Sequence, residues 1–363
     1  MLSSTHPLRL ALLGLLCTLA SAASAQVGMR DFQAQGIPVT MVYPTSETAT
    51  PQTKGPFTIE VATDATPTQG RHRLIVMSHG TGGSAIADHA LAARLARAGF
   101  VVAQPLHTGD NYLDQRLSGP ASFEKRPGEV TQVIDALAQD SLWSGRLALD
   151  KVGVHGMSAG GVTGIALAGG QWRLLNLVRH CDAHAQDDES FCFQGAKDAQ
   201  ARADLQARYA RGRQVPEAFL PADLTTLHGG RSPSTAQVVD PRPDARVASV
   251  SLAVPLAAIF SPESLARIRI PVGVVSAQRD EVLVPSFHSD YLLRHCTACT
   301  RLADLPGAGH RDVLWPSPDS AAQRAAAEQE PSRVPVPGFD GRLRDAAHDR
   351  IVAFHRQHLL PPP

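Results

Sequence analysis

Ser158, Asp280 and His310 have the types and the chain order of a nucleophile, an acid and a base. A serine hydroxyl is a weak nucleophile at neutral pH. It needs an imidazole to take its proton and a carboxylate to orient and stabilise that imidazole. Ser158 stands in Gly156-Met157-Ser158-Ala159-Gly160, after the apolar run Lys151–His155 and before the helix-like stretch Gly161–Ala168. Glycine two positions either side of a serine, between a strand and a helix, is the pattern of a sharp turn that lifts the hydroxyl clear of the backbone. In a chain with 29 glycines the pentapeptide alone also fits an ordinary helix N-cap. Its context separates the two readings.

Three further segments supply that context. Val274–Val275 run into Ser276-Ala277-Gln278-Arg279-Asp280-Glu281, so an acid follows the end of a strand. Open α/β sheets build their sites at that edge. Asp280 is the expected acid and Glu281 its neighbouring competitor. His310 closes Leu305-Pro306-Gly307-Ala308-Gly309-His310, a glycine-rich loop after the last strand-like run. It is the one of 15 histidines whose loop context fits a general base. Ser78-His79-Gly80-Thr81-Gly82-Gly83 follows the buried-looking run Leu74–Met77. Its backbone N–H groups suit an oxyanion hole, with Thr81 and Ala159 as the expected donors. The segment lacks the Lys-Ser/Thr of a phosphate loop. His107, after the run Val101–Pro105, reads as a polar residue on the pocket rim, with a place in the lining of the acyl pocket as the alternative.

These residues need a frame. Apolar runs at Leu74–Met77, Phe100–Ala103, Lys151–His155, Val247–Val254 and Pro271–Val275 alternate with helical patterns at Ala85–Ala98, Arg126–Asp140 and Ser286–His295. That alternation predicts an α/β fold, a mostly parallel sheet flanked by helices. Before it come strand-like Ile37–Tyr43 and Phe57–Val61, joined by a loop at Pro44–Pro56. The alternation lapses over about 172–240, which reads as an inserted lid holding one helix, Ala196–Arg213. A short strand at Thr300–Ala303 and a closing helix at Gly341–His358 complete the pattern. The order Ser, Asp, His along the chain is that of the α/β-hydrolase fold.

The first 25 residues combine Arg9, the apolar stretch Leu10–Ala20 and Ala23-Ser24-Ala25. They read as a cleavable signal peptide, which makes residues 26–363 the hydrolase domain, periplasmic or secreted, with no stable membrane anchor after cleavage. Export makes the remaining Cys181, Cys192, Cys296 and Cys299 an even set suited to disulfides. Pairing within each local pair, Cys181–Cys192 and Cys296–Cys299, is expected. Thiolate metal sites built with His180, His184 or His295 are the alternative, and no metal or cofactor is expected. Lys plus Arg and Asp plus Glu each number 34, and no basic stripe interrupts the chain, so nucleic acid is not an expected partner.

From about Gly36 to His310 the chain resembles the bacterial dienelactone hydrolase-like proteins related to platelet-activating-factor acetylhydrolases. The resemblance is carried by His79–Gly83, Arg126-Pro127, Gly156–Gly160, Phe260–Leu265, Arg279–Glu281 and Gly309-His310. It implies ester hydrolysis through a serine acyl-enzyme. Dienelactone hydrolases themselves use cysteine as the nucleophile, and serine at position 158 favours ordinary carboxylic esters, small-molecule or lipid. Acyl transfer and peptide hydrolysis use the same residues. A non-catalytic binding protein on the same fold is the reading from another class.

Overall fold

The computed structural model describes residues 26–194, 196, 198–213, 243–314 and 336–361. The expected signal peptide, the later part of the expected lid and the Pro/Ala-rich stretch before Val336 lie outside them.

Ten strands form one sheet in the order β10-β9-β8-β7-β5-β6-β2-β1-β4-β3. They are β1 (Gln26–Ala34), β2 (Ile37–Thr45), β3 (Thr50–Lys54), β4 (Phe57–Thr63), β5 (His72–Ser78), β6 (Val101–Pro105), β7 (Leu147–Met157), β8 (Val247–Ala253), β9 (Val272–Ala277) and β10 (Cys299–Leu305). From β6 to β10 every neighbouring pair is parallel. β2 joins β6 antiparallel and pairs antiparallel with β1.

The inner parallel strands β5, β6, β8 and β9 are buried on both faces along most of their length because helices cover both. Successive side chains of a strand point to opposite faces. Leu74 and Val76 therefore enter one core with Val130, Val133, Ile134 and Leu137 of α2 (Pro120–Gln139) and Val162 and Ile165 of α3 (Ala159–Leu167). Ile75 and Met77 enter the other core with Leu91 and Leu95 of α1 (His89–Arg97). The closing helix, Gly341–Leu359, adds Ala347 and Ile351 to that second core.

Several boundaries differ from the sequence reading. The Pro44–Pro56 loop contains β3, an exposed edge strand pairing antiparallel with β4. The segment is rich in Pro, Thr and Ser, as loops are, but an edge strand tolerates Pro51 because one row of its N–H groups lacks a partner anyway. β1 had no sequence counterpart. α2 starts six residues before Arg126, with Pro120 in its first turn and Pro127 inside it. Proline suits a first turn, and inside a helix it removes one hydrogen bond.

The segment between α3 and β8 holds three helices among the described residues rather than one: α4 (Leu174–His184), α5 (Glu189–Cys192) and α6 (Ala199–Arg213). Leu175 and Val178 of α4 join the core beside α3. Disulfides Cys181–Cys192 and Cys296–Cys299 are present, in the locally paired arrangement. The first ties α4 to α5. The second spans the turn from α8 (Ser289–His295) into β10. α7 (Pro262–Leu265) starts at Ser261, whose side chain caps it by accepting from Ser264 N. We number the closing helix α9.

Candidate active site

Four loops meet at the carboxyl edge of the parallel strands. They follow β5, β7, β9 and β10, the strands that bring Gly80–Thr81, Ser158, Asp280 and His310 to one place.

Ser158 lies between β7 and α3 with φ +56° and ψ −118°. A non-glycine residue with positive φ is uncommon, and such strain clusters at functional sites. Its neighbours enforce the turn. A Cβ on Gly156 would stand 2.1 Å from the Gly160 carbonyl oxygen, and one on Gly160 would stand 2.0 Å from that of Ser78. Neither position has room for a side chain. β8 and the loop after it hold the serine backbone in place: Ser158 N donates to Ala253 O (3.0 Å) and Leu256 N to Ser158 O (3.1 Å).

His310 Nε2 lies 2.9 Å from Ser158 Oγ, and its Nδ1 lies 2.7 Å from Asp280 Oδ2. Asp280 is buried, and its Oδ1 accepts from Val282 N and Leu283 N, both at 2.9 Å. These two backbone bonds aim the carboxylate. Glu281 is exposed, and desolvation raises its pKa. It makes no contact with His310 comparable to that of Asp280. An imidazole held between a hydroxyl and a carboxylate can take the hydroxyl proton and return it to a leaving group.

Gly80 lies against the serine: a Cβ built there would be 3.7 Å from Ser158 Oγ. Thr81 follows it, and Ala159 opens α3 directly after Ser158. The backbone of these two residues therefore adjoins the nucleophile, from the loop and from the helix.

His107 is not on a rim. It is fully buried, with Nδ1 2.7 Å from Glu129 Oε2 and Nε2 2.8 Å from Ser78 Oγ. The end of a strand places a residue at the sheet edge, but α2 covers that edge here and supplies a buried carboxylate. Burial lowers the His107 pKa to about 4, and nearby Arg126 adds to the effect. Ser78 in turn contacts Thr163 of α3 at 3.1 Å.

Behind the same loop, Asp110, Arg126 and Glu129 form a buried charged cluster absent from the sequence-derived site. Its signal was readable. Arg126 and Glu129 share the helical stripe of Val130, Val133 and Leu137, and charges on an apolar stripe are rarely idle. Another buried carboxylate, Asp188, lies between His180 and His288 at 2.8 Å from each. Their hydrogen bonds lower the Asp188 pKa to about 2 against the opposing effect of burial. Cys192, near His180 and Asp188, is spent in its disulfide, so this group offers no thiolate to a metal.

No protein-family model matches the chain, and no curated protein matches it. Among solved structures it is similar to a ferulic acid esterase from Streptomyces cinnamoneus, at 16% identity and a TM-score of 0.56. The likeness covers 95% of this chain and 93% of that one. The fold is that of the α/β hydrolases. The strand order, the glycine-bounded turn after β7 and the loops after β9 and β10 all belong to it.

Proposed function

We propose that the protein is an exported serine esterase of the kind its dienelactone hydrolase-like motifs suggest. The observation that carries this is the unbroken line Ser158 Oγ, His310, Asp280, with contacts of 2.9 and 2.7 Å. Ser158 attacks the ester carbonyl while His310 takes its proton. Thr81 and Ala159 N–H groups stabilise the oxyanion. His310 protonates the departing alkoxide, leaving an acyl-enzyme. Water, deprotonated by His310, then releases the acid and restores Ser158.

The two disulfides support an oxidising compartment, and among the described residues no helix is long and apolar enough to cross a membrane. We read the helices between α3 and β8 as part of a lid that shapes the ester pocket. Esters of short acids and of aromatic acids head the substrate screen, the latter because the similar solved structure is a ferulic acid esterase.

Ser158→Ala is expected to abolish both turnover of p-nitrophenyl acetate and labelling by a fluorophosphonate. Undiminished turnover in that variant would sink the reading. Product analysis with competing alcohols and amines separates hydrolysis from acyl transfer.

A further inference from the structure

An oxyanion hole works only if its donors already point at the developing charge, because reorienting them during the reaction costs the stabilisation they give. Ala159 N–H is held by the helix it opens. Thr81 lies in a loop, where a peptide plane is free to rotate unless something holds it.

Two buried side chains do so. The Arg126 guanidinium, 1% exposed, donates through Nη1 to His79 O at 2.6 Å. Through Nη2 it reaches Asp110 Oδ2 at 2.6 Å, Asp110 O at 3.3 Å and Gly80 O at 3.4 Å. Gly80 O also accepts from His79 Nδ1 at 2.7 Å and from Gly83 N at 3.1 Å. In a trans peptide the carbonyl of one residue and the N–H of the next point in opposite directions. Pinning Gly80 O on the Arg126 side therefore turns the Thr81 N–H away from it.

Asp110 holds the next plane. Its Oδ1 accepts from Gly82 N at 2.9 Å and from Ser118 Oγ at 2.7 Å, and Ser122 Oγ donates to Oδ2. Both peptide units that flank Thr81 are thus tied to one ion pair. His79 is fixed as well: His107 N donates to its Nε2 at 3.2 Å, which leaves Nδ1 as the protonated nitrogen. Burial, with help from Arg126, holds its pKa well below the usual histidine range.

We propose that Arg126 and Asp110 are a positioning pair that holds the Thr81 N–H aimed at the oxyanion. This rests on the esterase reading and on Thr81 as a donor in it. Stability alone is a poor explanation of the pair. Two buried charges are costly to desolvate, and apolar replacements of like size often do as well. Arg126 Nε is also buried, without a hydrogen-bond acceptor among the described residues.

The test uses the full chain. Arg126→Lys keeps a cation beside Asp110 but loses the planar fork that reaches Asp110 and His79 O together. The expected result is a kcat for p-nitrophenyl acetate lower by on the order of 10²-fold with KM unchanged. Affinity for a boronic acid, whose serine adduct carries the tetrahedral charge, should fall in step with kcat. Guanidinium added to Arg126→Ala should restore part of kcat.

Wild-type kcat in folded Arg126→Lys overturns the proposal, and so does a lower kcat with unchanged boronate affinity. Asp110→Asn is the second variant if circular dichroism finds the first unfolded, and it is judged by the same split. Ser158→Ala runs alongside. Activity surviving there removes the esterase reading itself, whereas its loss beside a fully active, folded Arg126→Lys removes only the positioning pair.

Discussion

Two carboxylates stand next to each other in the loop after β9, and their surroundings give them different parts. Asp280 is buried, receives two backbone N–H bonds and meets His310 at 2.7 Å. Glu281 faces solvent. Under the proposed mechanism Asp280→Asn presents an amide to His310 Nδ1 and favours the wrong tautomer. Its kcat is expected to fall about 10⁴-fold. Glu281→Gln is expected to stay within a few-fold of wild type, read by the same p-nitrophenyl acetate assay. A larger loss in Glu281→Gln would reverse the assignment. The sequence alone favoured Asp280 without excluding Glu281, because burial and backbone bonding depend on how the loop folds. His107 makes the same point: its place after a strand was legible, but α2 folding over it was not.

Among the elements, the turn at Ser158 was the most legible, because close backbone approach leaves a mark in residue type. Only glycine fits at 156 and 160, where a Cβ would stand about 2 Å from a carbonyl oxygen. The segment between α3 and β8 was far less legible. α4 buries Leu174, Leu177, Val178 and Cys181 at helical spacing, a stripe that was readable, whereas the four-residue α5 is too short to show a period and α6 carries no clear apolar face. The Cys181–Cys192 bridge, closing a loop of 11 residues, fastens α4 to α5. Cys181→Ser with Cys192→Ser is expected to cost about 3 kcal/mol of stability. The denaturant midpoint of the oxidised wild type and the double variant measures this. Equal midpoints would mean that the helix packing holds the segment without the bridge.

The whole molecule carries a stability signature in its buried histidines. Burial lowers the pKa of His107 to about 4 and that of His355 to about 3. His355 lies between Ser249 and Ser251, at 2.9 and 2.8 Å from their hydroxyls. Unfolded, both would titrate near 6.5. Below that pH the unfolded chain binds more protons than the folded one, so stability falls as the solution is acidified. The loss runs from about pH 6.5 down through the two folded values. Asp188, held at about 2, adds a second loss once the pH drops below the ordinary carboxylate range. The melting temperature is expected to fall steadily from pH 7 to pH 4, and His355→Gln should flatten part of that slope. A melting temperature independent of pH over this range would refute it.

The sequence by itself determined the alternation of strands and helices, the glycine-bounded serine and the order of the three polar residues; it favoured local pairing of the cysteines, which the structure has. The first two are short-range matters of residue type and spacing written in neighbouring positions, and the third is a matter of chain order that needs no folded contact to be read. The tertiary structure decided which acid meets His310, that His107 is buried, and that Asp110 and Arg126 grip the loop around Thr81. Those contacts join residues 16 to 47 positions apart. Only the folded sheet brings them within hydrogen-bonding distance, and only there does removal from water make a charge pair rigid enough to hold a peptide plane.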